Sequence, residues 1–174
     1  MFKYPTFPFH EYPAPLRFTD AEEWTEEEAK RKGCICPCCK GIAKYYQRHM
    51  NSAQALFLIR LHKRTEEGDC DDAGFVLIPW GSTGNGDYSK LRHWEFIQPK
   101  PRERQGEKNS GWWRITDAGV DFVMERSTAS SCVWTYKNRL IRKATEKITI
   151  KQALAEDFDY EKLMEGGWRP EEAE

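Results

Sequence analysis

The sequence predicts an α+β fold: a core of helices and short strands, preceded by a cysteine-rich knuckle and followed by a hairpin and a helix. Three observations predict it. After Asn51, the residues Ala53, Ala55, Leu56, Ile59 and Leu61 form a wide apolar face at helical spacing. In Gly111–Ile115, Trp113 and Ile115 alternate with Trp112 and Arg114, the period of a strand with one buried face. Val133–Ile141 reads as a hairpin turning at Lys137–Asn138.

The 174 residues suit one domain with appendages. Aromatics at 13% argue for a packed core although charged residues reach 32%. The net charge of -1 does not advertise a polyanionic partner, but its distribution is uneven. Acidic residues crowd Asp20–Glu28 and Glu171–Glu174, whereas basic residues crowd Lys100–Arg114 and Lys137–Lys147. A basic face on a neutral chain follows. No run approaches the ~18 apolar residues of a membrane span. The first fifteen residues interleave prolines with aromatics and do not read as a signal peptide, so a cytoplasmic protein without a membrane partner is expected.

In chain order, residues 1–18 read as an extended arm that packs on the body or binds a partner. Thr19–Glu22 has the pattern of a capping box. Glu22–Glu28 and then Lys30–Lys32 suit the two ends of a helix dipole, and Gly33 suits its C-terminal cap. Asn51–Gln54 offers a second capping start, for a helix ending near Lys63–Arg64. Glu66–Asp72 is a polar loop, in which Asp69, Asp71 and Asp72 read as solvated acids. Phe75–Trp80 is a short strand or buried connector, with Pro79 favouring an edge. Gly81–Gly86 is a loop. Asp87 then reads as the N-cap of a helix reaching Phe96, with Tyr88, Leu91 and Trp94 or Glu95 on one side. Pro99 and Pro101 stop regular structure. A polar segment leads to the Gly111–Ile115 strand, and Thr116–Gly119 opens a short helix through Met124. Ile148–Ile150 suits another short strand, and Ile150–Met164 ends in a helical segment. The three segments are 1–50, 51–126 and 127–174.

The order of a helix carrying Leu91, the phrase Glu95-Phe96-Ile97, a basic loop and Ile115-Thr116-Asp117-Ala118-Gly119 resembles winged-helix regulators of the MarR type. The resemblance covers about 75 residues, fewer than half the chain. Glu95 stands where that family has glycine, and Phe75–Gly86 does not match its second helix. The chain also resembles phage and prophage proteins that pair a Cys-Pro-x-Cys knuckle with this phrase, a resemblance that implies no particular activity but would place the protein in a host cytoplasm.

The resemblance implies binding of duplex DNA. Lys100, Arg102, Arg104, Lys108 and Arg114 would hold phosphates from a wing, and Lys90, Arg92 and His93 would face the groove. A homodimer is compatible with it. A second reading is a protein-interaction module that inhibits or modulates a host nucleic-acid enzyme, for example an anti-defence protein. Trp112, opposite in face to Trp113, is its exposed contact residue.

Six cysteines in a chain without an export signal point to metal or redox chemistry before disulfides. Cys36 and Cys39 have the C-x-x-C spacing by which two thiolates grip one tetrahedral ion, and Cys34 adds a third. His49 is the fourth ligand favoured for a structural zinc, with His10, Cys38, Cys70 and Cys132 as alternatives. Unligated cysteines are the other reading. A redox C-x-x-C needs a preceding strand, which the sequence does not offer. No phosphate-cradling glycine motif, H-E-x-x-H pair or acid–base spacing appears, so an enzyme is not expected; redox or metal catalysis ranks third.

Overall fold

The computed structural model describes residues 18–36, 40–78, 87–101 and 111–166. Among these the elements are α1 (Phe18–Arg31), β1 (Cys34–Ile35), β2 (Ile42–Ala43), β3 (Tyr46–His49), α2 (Ser52–Glu66), β4 (Val76–Leu77), a 3-10 helix (Asp87–Trp94), β5 (Ile97–Pro99), β6 (Trp112–Ile115), α3 (Asp117–Val123), β7 (Ala129–Ser130), β8 (Cys132–Tyr136), β9 (Arg139–Lys143), β10 (Lys147–Ile148), α4 (Ile150–Leu154), a 3-10 turn (Ala155–Asp157) and α5 (Tyr160–Glu165). The fold is α+β. The chain forms two compact units, Met1–Arg48 with Trp134–Arg142, and His49–Val133 with Lys143–Glu174.

The larger unit is organised on α2. Its start is the capping box that Asn51 and Gln54 suggest: the Gln54 N–H donates to Asn51 Oδ1 at 2.9 Å, and the Asn51 N–H to Gln54 Oε1 at 3.3 Å. Residues Ala55–Ile59 and Leu61 are all buried, so the helix has core around most of its circumference and not along one stripe. Against it lies an antiparallel sheet in the order β4–β6–β5. Val76 pairs with Trp113, and Ile97 with Ile115, which sets four apolar side chains on the inner face. β7 pairs with β10, and α4 packs on α2 behind a second capping box, Thr149 with Gln152.

Thr116 joins sheet to helix. Its hydroxyl accepts from the Gly119 N–H at 3.1 Å and donates to the Glu95 carbonyl at 2.6 Å. One side chain therefore caps α3 and fastens it to Glu95, two residues before β5. Thr116→Ala is expected to cost about 1–2 kcal/mol in a denaturant titration, with Thr116→Ser recovering most of it.

Four local expectations change. α1 begins at Phe18, so Thr19 lies inside the helix instead of at its cap; Gly33, at φ +84°, does end it. The segment after Asp87 is a 3-10 helix that includes Asp87, not an α-helix capped by it. Tyr88, Leu91 and Trp94 recur at intervals of three, which suits a turn of three residues. Tyr88 stacks on Phe57 at 4.5 Å and meets Trp113 edge-on, while Leu91 and Trp94 are buried. Regular structure persists through Pro99, because β5 pairs with β6 alone among the described residues and an edge tolerates proline. The C-terminal helical segment is broken at Ala155, whose φ is +56°, into α4 and α5.

In the smaller unit, β1 and β2 form a ribbon with Ile35 opposite Ile42. Ala29 of α1 and Ala43 are buried, and Tyr45 packs on Tyr136 with ring centroids 5.1 Å apart. β8 lies between β3 and β9. The turn joining β8 to β9 is at Lys137–Asn138, as the sequence suggests; both residues have positive φ, the conformation of a two-residue hairpin turn matched to strand twist.

Candidate nucleic-acid interface

The alternation of β6 decides which of its side chains face outward. Trp113 and Ile115 are buried, and Trp112 and Arg114 are half-buried on the opposite face. Leu77 lies opposite Trp112 and Gln98 opposite Arg114, so these four share the outer face of the sheet. Gly111, at φ +74°, carries the chain into β6, and its carbonyl accepts from the Ile78 N–H at 2.9 Å.

Two of the basic residues expected to hold phosphate, Lys100 and Arg114, are built into a layered cluster on this face. The Arg114 guanidinium lies 5.0 Å from the centroid of the Phe75 ring. Lys100 Nζ lies 5.9 Å from the same centroid and 5.0 Å from that of Trp112. Arg114 donates to the Ala73 carbonyl at 3.3 Å and to Gln98 Oε1 at 2.8 Å, and Lys100 donates to Asp71 Oδ2 at 2.7 Å. Cation–π contact thus covers Phe75, which is buried. The two cations differ in what they have left to offer. Arg114 faces neutral oxygens and, among the described residues, has no carboxylate within 4.0 Å. Lys100 is already neutralised.

Asp71 is more than a solvated acid. Its Oδ1 accepts from the N–H groups of Ala73 and Phe75 at 3.0 and 2.9 Å, which folds the loop before β4. The Lys100 ammonium, and next the Phe75 N–H, hold its carboxyl below the usual carboxylate range. A carboxylate shifted this way stabilises the fold above its unfolded value of about 3.9, and that contribution is lost as the pH falls through the lower folded value. Asp71→Asn is therefore expected to flatten the loss of stability below about pH 4, read as denaturation midpoints across the acid range. An unchanged acid limb would remove Asp71 from the account.

The groove-facing trio is not assembled as expected. His93 is 5% exposed, so a groove role for it is corrected: it belongs to the core. Its neighbour Trp94 is likewise buried, with Nε1 donating to the Ser130 carbonyl at 2.7 Å. Lys90 and Arg92 are half-buried on the 3-10 helix. Arg102, Arg104 and Lys108 lie outside the described residues. Sequence reading missed Asp71, Phe75 and Gln98. An aromatic residue directly before a two-residue strand carries no periodic signal, and only the pairing register brings Gln98 to Arg114.

The described part of the knuckle, Cys36 and Lys40–Gly41, lies at the end of the β1–β2 ribbon. The Cys36 N–H donates to the Gly41 carbonyl at 2.8 Å and the Lys40 N–H to the Cys36 carbonyl at 2.9 Å. The Cys34 thiol lies 3.7 Å from the Thr25 carbonyl, and burial first, then Glu28 and Cys36, push its pKa up. Cys39 and Cys38 lie outside the described residues, and His49 is exposed at the end of β3, in the other unit. Among the described residues no group of three His, Cys, Asp or Glu side chains is placed to hold a metal ion. Cys132 is buried and Cys70 half-buried. No described helix is long and apolar enough to cross a membrane. In comparisons with known proteins, no family model, no curated protein and no solved structure matches the chain.

Proposed function

We propose that the protein binds duplex DNA through the segment joining β5 to β6, as a winged-helix-like module that holds phosphates more than it reads bases. The observation that carries this reading is the antiparallel β4–β6–β5 order, which puts Lys100 and Arg114 at the base of one hairpin with α3 directly after it. Residues 100–114 contain five basic and two acidic residues, a net charge of +3. Phosphate contacts fix position without carrying sequence information. The 3-10 helix offers little to a groove, since His93, Leu91 and Trp94 are core. Weak sequence preference follows. The test is anisotropy of a labelled random-sequence duplex at low salt: saturable binding is expected, and no affinity at about 50 mM salt overturns the proposal.

One observation favours a second reading, contact with a protein such as a host nucleic-acid enzyme. Leu77 is 43% exposed directly opposite Trp112, an apolar pair on the outer face. Leu77→Ser separates the two readings, because binding of duplex through phosphates does not require that side chain.

A further inference from the structure

The basic segment Lys137–Lys143, which the wing leaves unused, forms the turn and second arm of a hairpin with an unusual surface. All five residues of β9 are exposed, and among the described residues β9 pairs with β8 alone. Lys143 is matched by Glu95 at 2.8 Å. By contrast, Lys137, Arg139 and Arg142 have no carboxylate within 4.0 Å among the described residues. Two of these three cations lie against aromatic rings. The Arg142 guanidinium is 3.9 Å from the centroid of Trp134, and Lys137 Nζ is 5.4 Å from that of Tyr136. Trp134 and Tyr136 are two apart in β8 and so share a face, where both are half-buried.

We propose that the β8–β9 hairpin is a second binding surface, for single-stranded nucleic acid. Its chemistry has the two parts such a ligand needs: cations without a carboxylate partner among the described residues for the backbone, and two half-buried rings, Trp134 beside Arg142 and Tyr136 beside Tyr45 and Lys137, on which an unpaired base can stack when those cations turn to phosphate. An arginine held by a ring instead of a carboxylate keeps its full charge and its N–H donors for a phosphate. A duplex offers no free base faces. A second copy of the chain is disfavoured, since antiparallel pairing of two β9 strands about Ile141 would set Arg139 against Lys143. An acidic peptide would use the charges but not the rings.

The test uses the full chain and labelled oligothymidylate of about 12 nucleotides, within the span of known single-strand sites. Wild-type protein is expected to bind with strong salt dependence. The exposed-residue double variant Arg139→Gln/Arg142→Gln is expected to bind at least about tenfold more weakly at ~50 mM salt, with a log–log salt slope smaller by about 1.4, two contacts at 0.7 each. Trp134→Leu is expected to weaken binding by about tenfold through lost stacking while leaving that slope unchanged. Blunt duplex should bind wild type and double variant alike, which separates this surface from the wing. Three results overturn the proposal: no oligothymidylate binding at ~50 mM salt by wild-type protein, variants that match wild type, or poly-glutamate competing as well as oligothymidylate at equal charge.

Discussion

Gly119→Ala is expected to destabilise the larger unit by about 3 kcal/mol, the upper end for overpacking, and to lower the thermal midpoint by roughly 6–12 °C. A Cβ at this position would lie 2.8 Å from Ile115 Cγ1 and closer still to the Phe96 carbonyl oxygen. Neither neighbour can retreat cheaply. The Phe96 carbonyl accepts the Thr116 N–H at 3.0 Å, and the Phe96 ring stacks on Phe122 at 4.8 Å in the core. Ile115 is itself buried and paired with Ile97. The glycine in the Ile115-Thr116-Asp117-Ala118-Gly119 phrase is thus required by space and not by backbone conformation: α3 passes the Phe96 backbone, just before β5, at a distance that leaves no room for a methyl group. A midpoint within a degree of wild type would show that this approach is not as close as described.

The second large effect concerns binding. Replacing Arg102, Arg104 and Lys108 together by glutamine is expected to weaken duplex affinity by about a thousandfold at ~50 mM salt, if each makes one phosphate contact, and to reduce the log–log salt slope by about 2.7. Lys100→Gln should cost less than any one of them, because Asp71 already neutralises that ammonium. This ranking separates a wing that binds phosphate from a general dependence on positive charge, for which Lys100 would count equally. Parallel anisotropy titrations of the triple and single variants measure it.

Much of the fold was legible because local chemistry and tertiary packing agree. Asn51 and Gln54 cap α2, Thr116 caps α3, and Lys137–Asn138 turns the β8–β9 hairpin, each where the residue types alone suggest. The alternation in β6 correctly separates Trp113 and Ile115 from Trp112 and Arg114. The 3-10 helix was not legible as such. A spacing of three fits both the 3-10 period and the i, i+3 positions of an α-helix, so Tyr88, Leu91 and Trp94 alone do not distinguish the two. An α-helical reading turns His93 toward a groove, whereas tertiary packing buries it.

Glu95 is the informative departure. It stands where a resemblance to MarR-type regulators would imply glycine, and its φ of +67° is the left-handed conformation that glycine adopts freely. A non-glycine residue there costs of order 1 kcal/mol or more. Its carbonyl accepts from Thr116, and its carboxylate pairs with Lys143 at 2.8 Å, so neighbouring contacts hold the backbone in place without glycine. In the candidate interface, the charged residues were visible from the sequence but their pairing was not. The sequence separation of 29 between Asp71 and Lys100 hides the ion pair that removes Lys100 from the set of available cations.

The most direct test of phosphate binding through the wing is the dependence of wild-type duplex affinity on salt. With Arg102, Arg104, Lys108 and Arg114 as the contacting residues, a plot of log affinity against log salt is expected to be linear with a slope of about -3.6, four contacts at 0.9 each. A slope near zero, or no binding at ~50 mM salt, contradicts it.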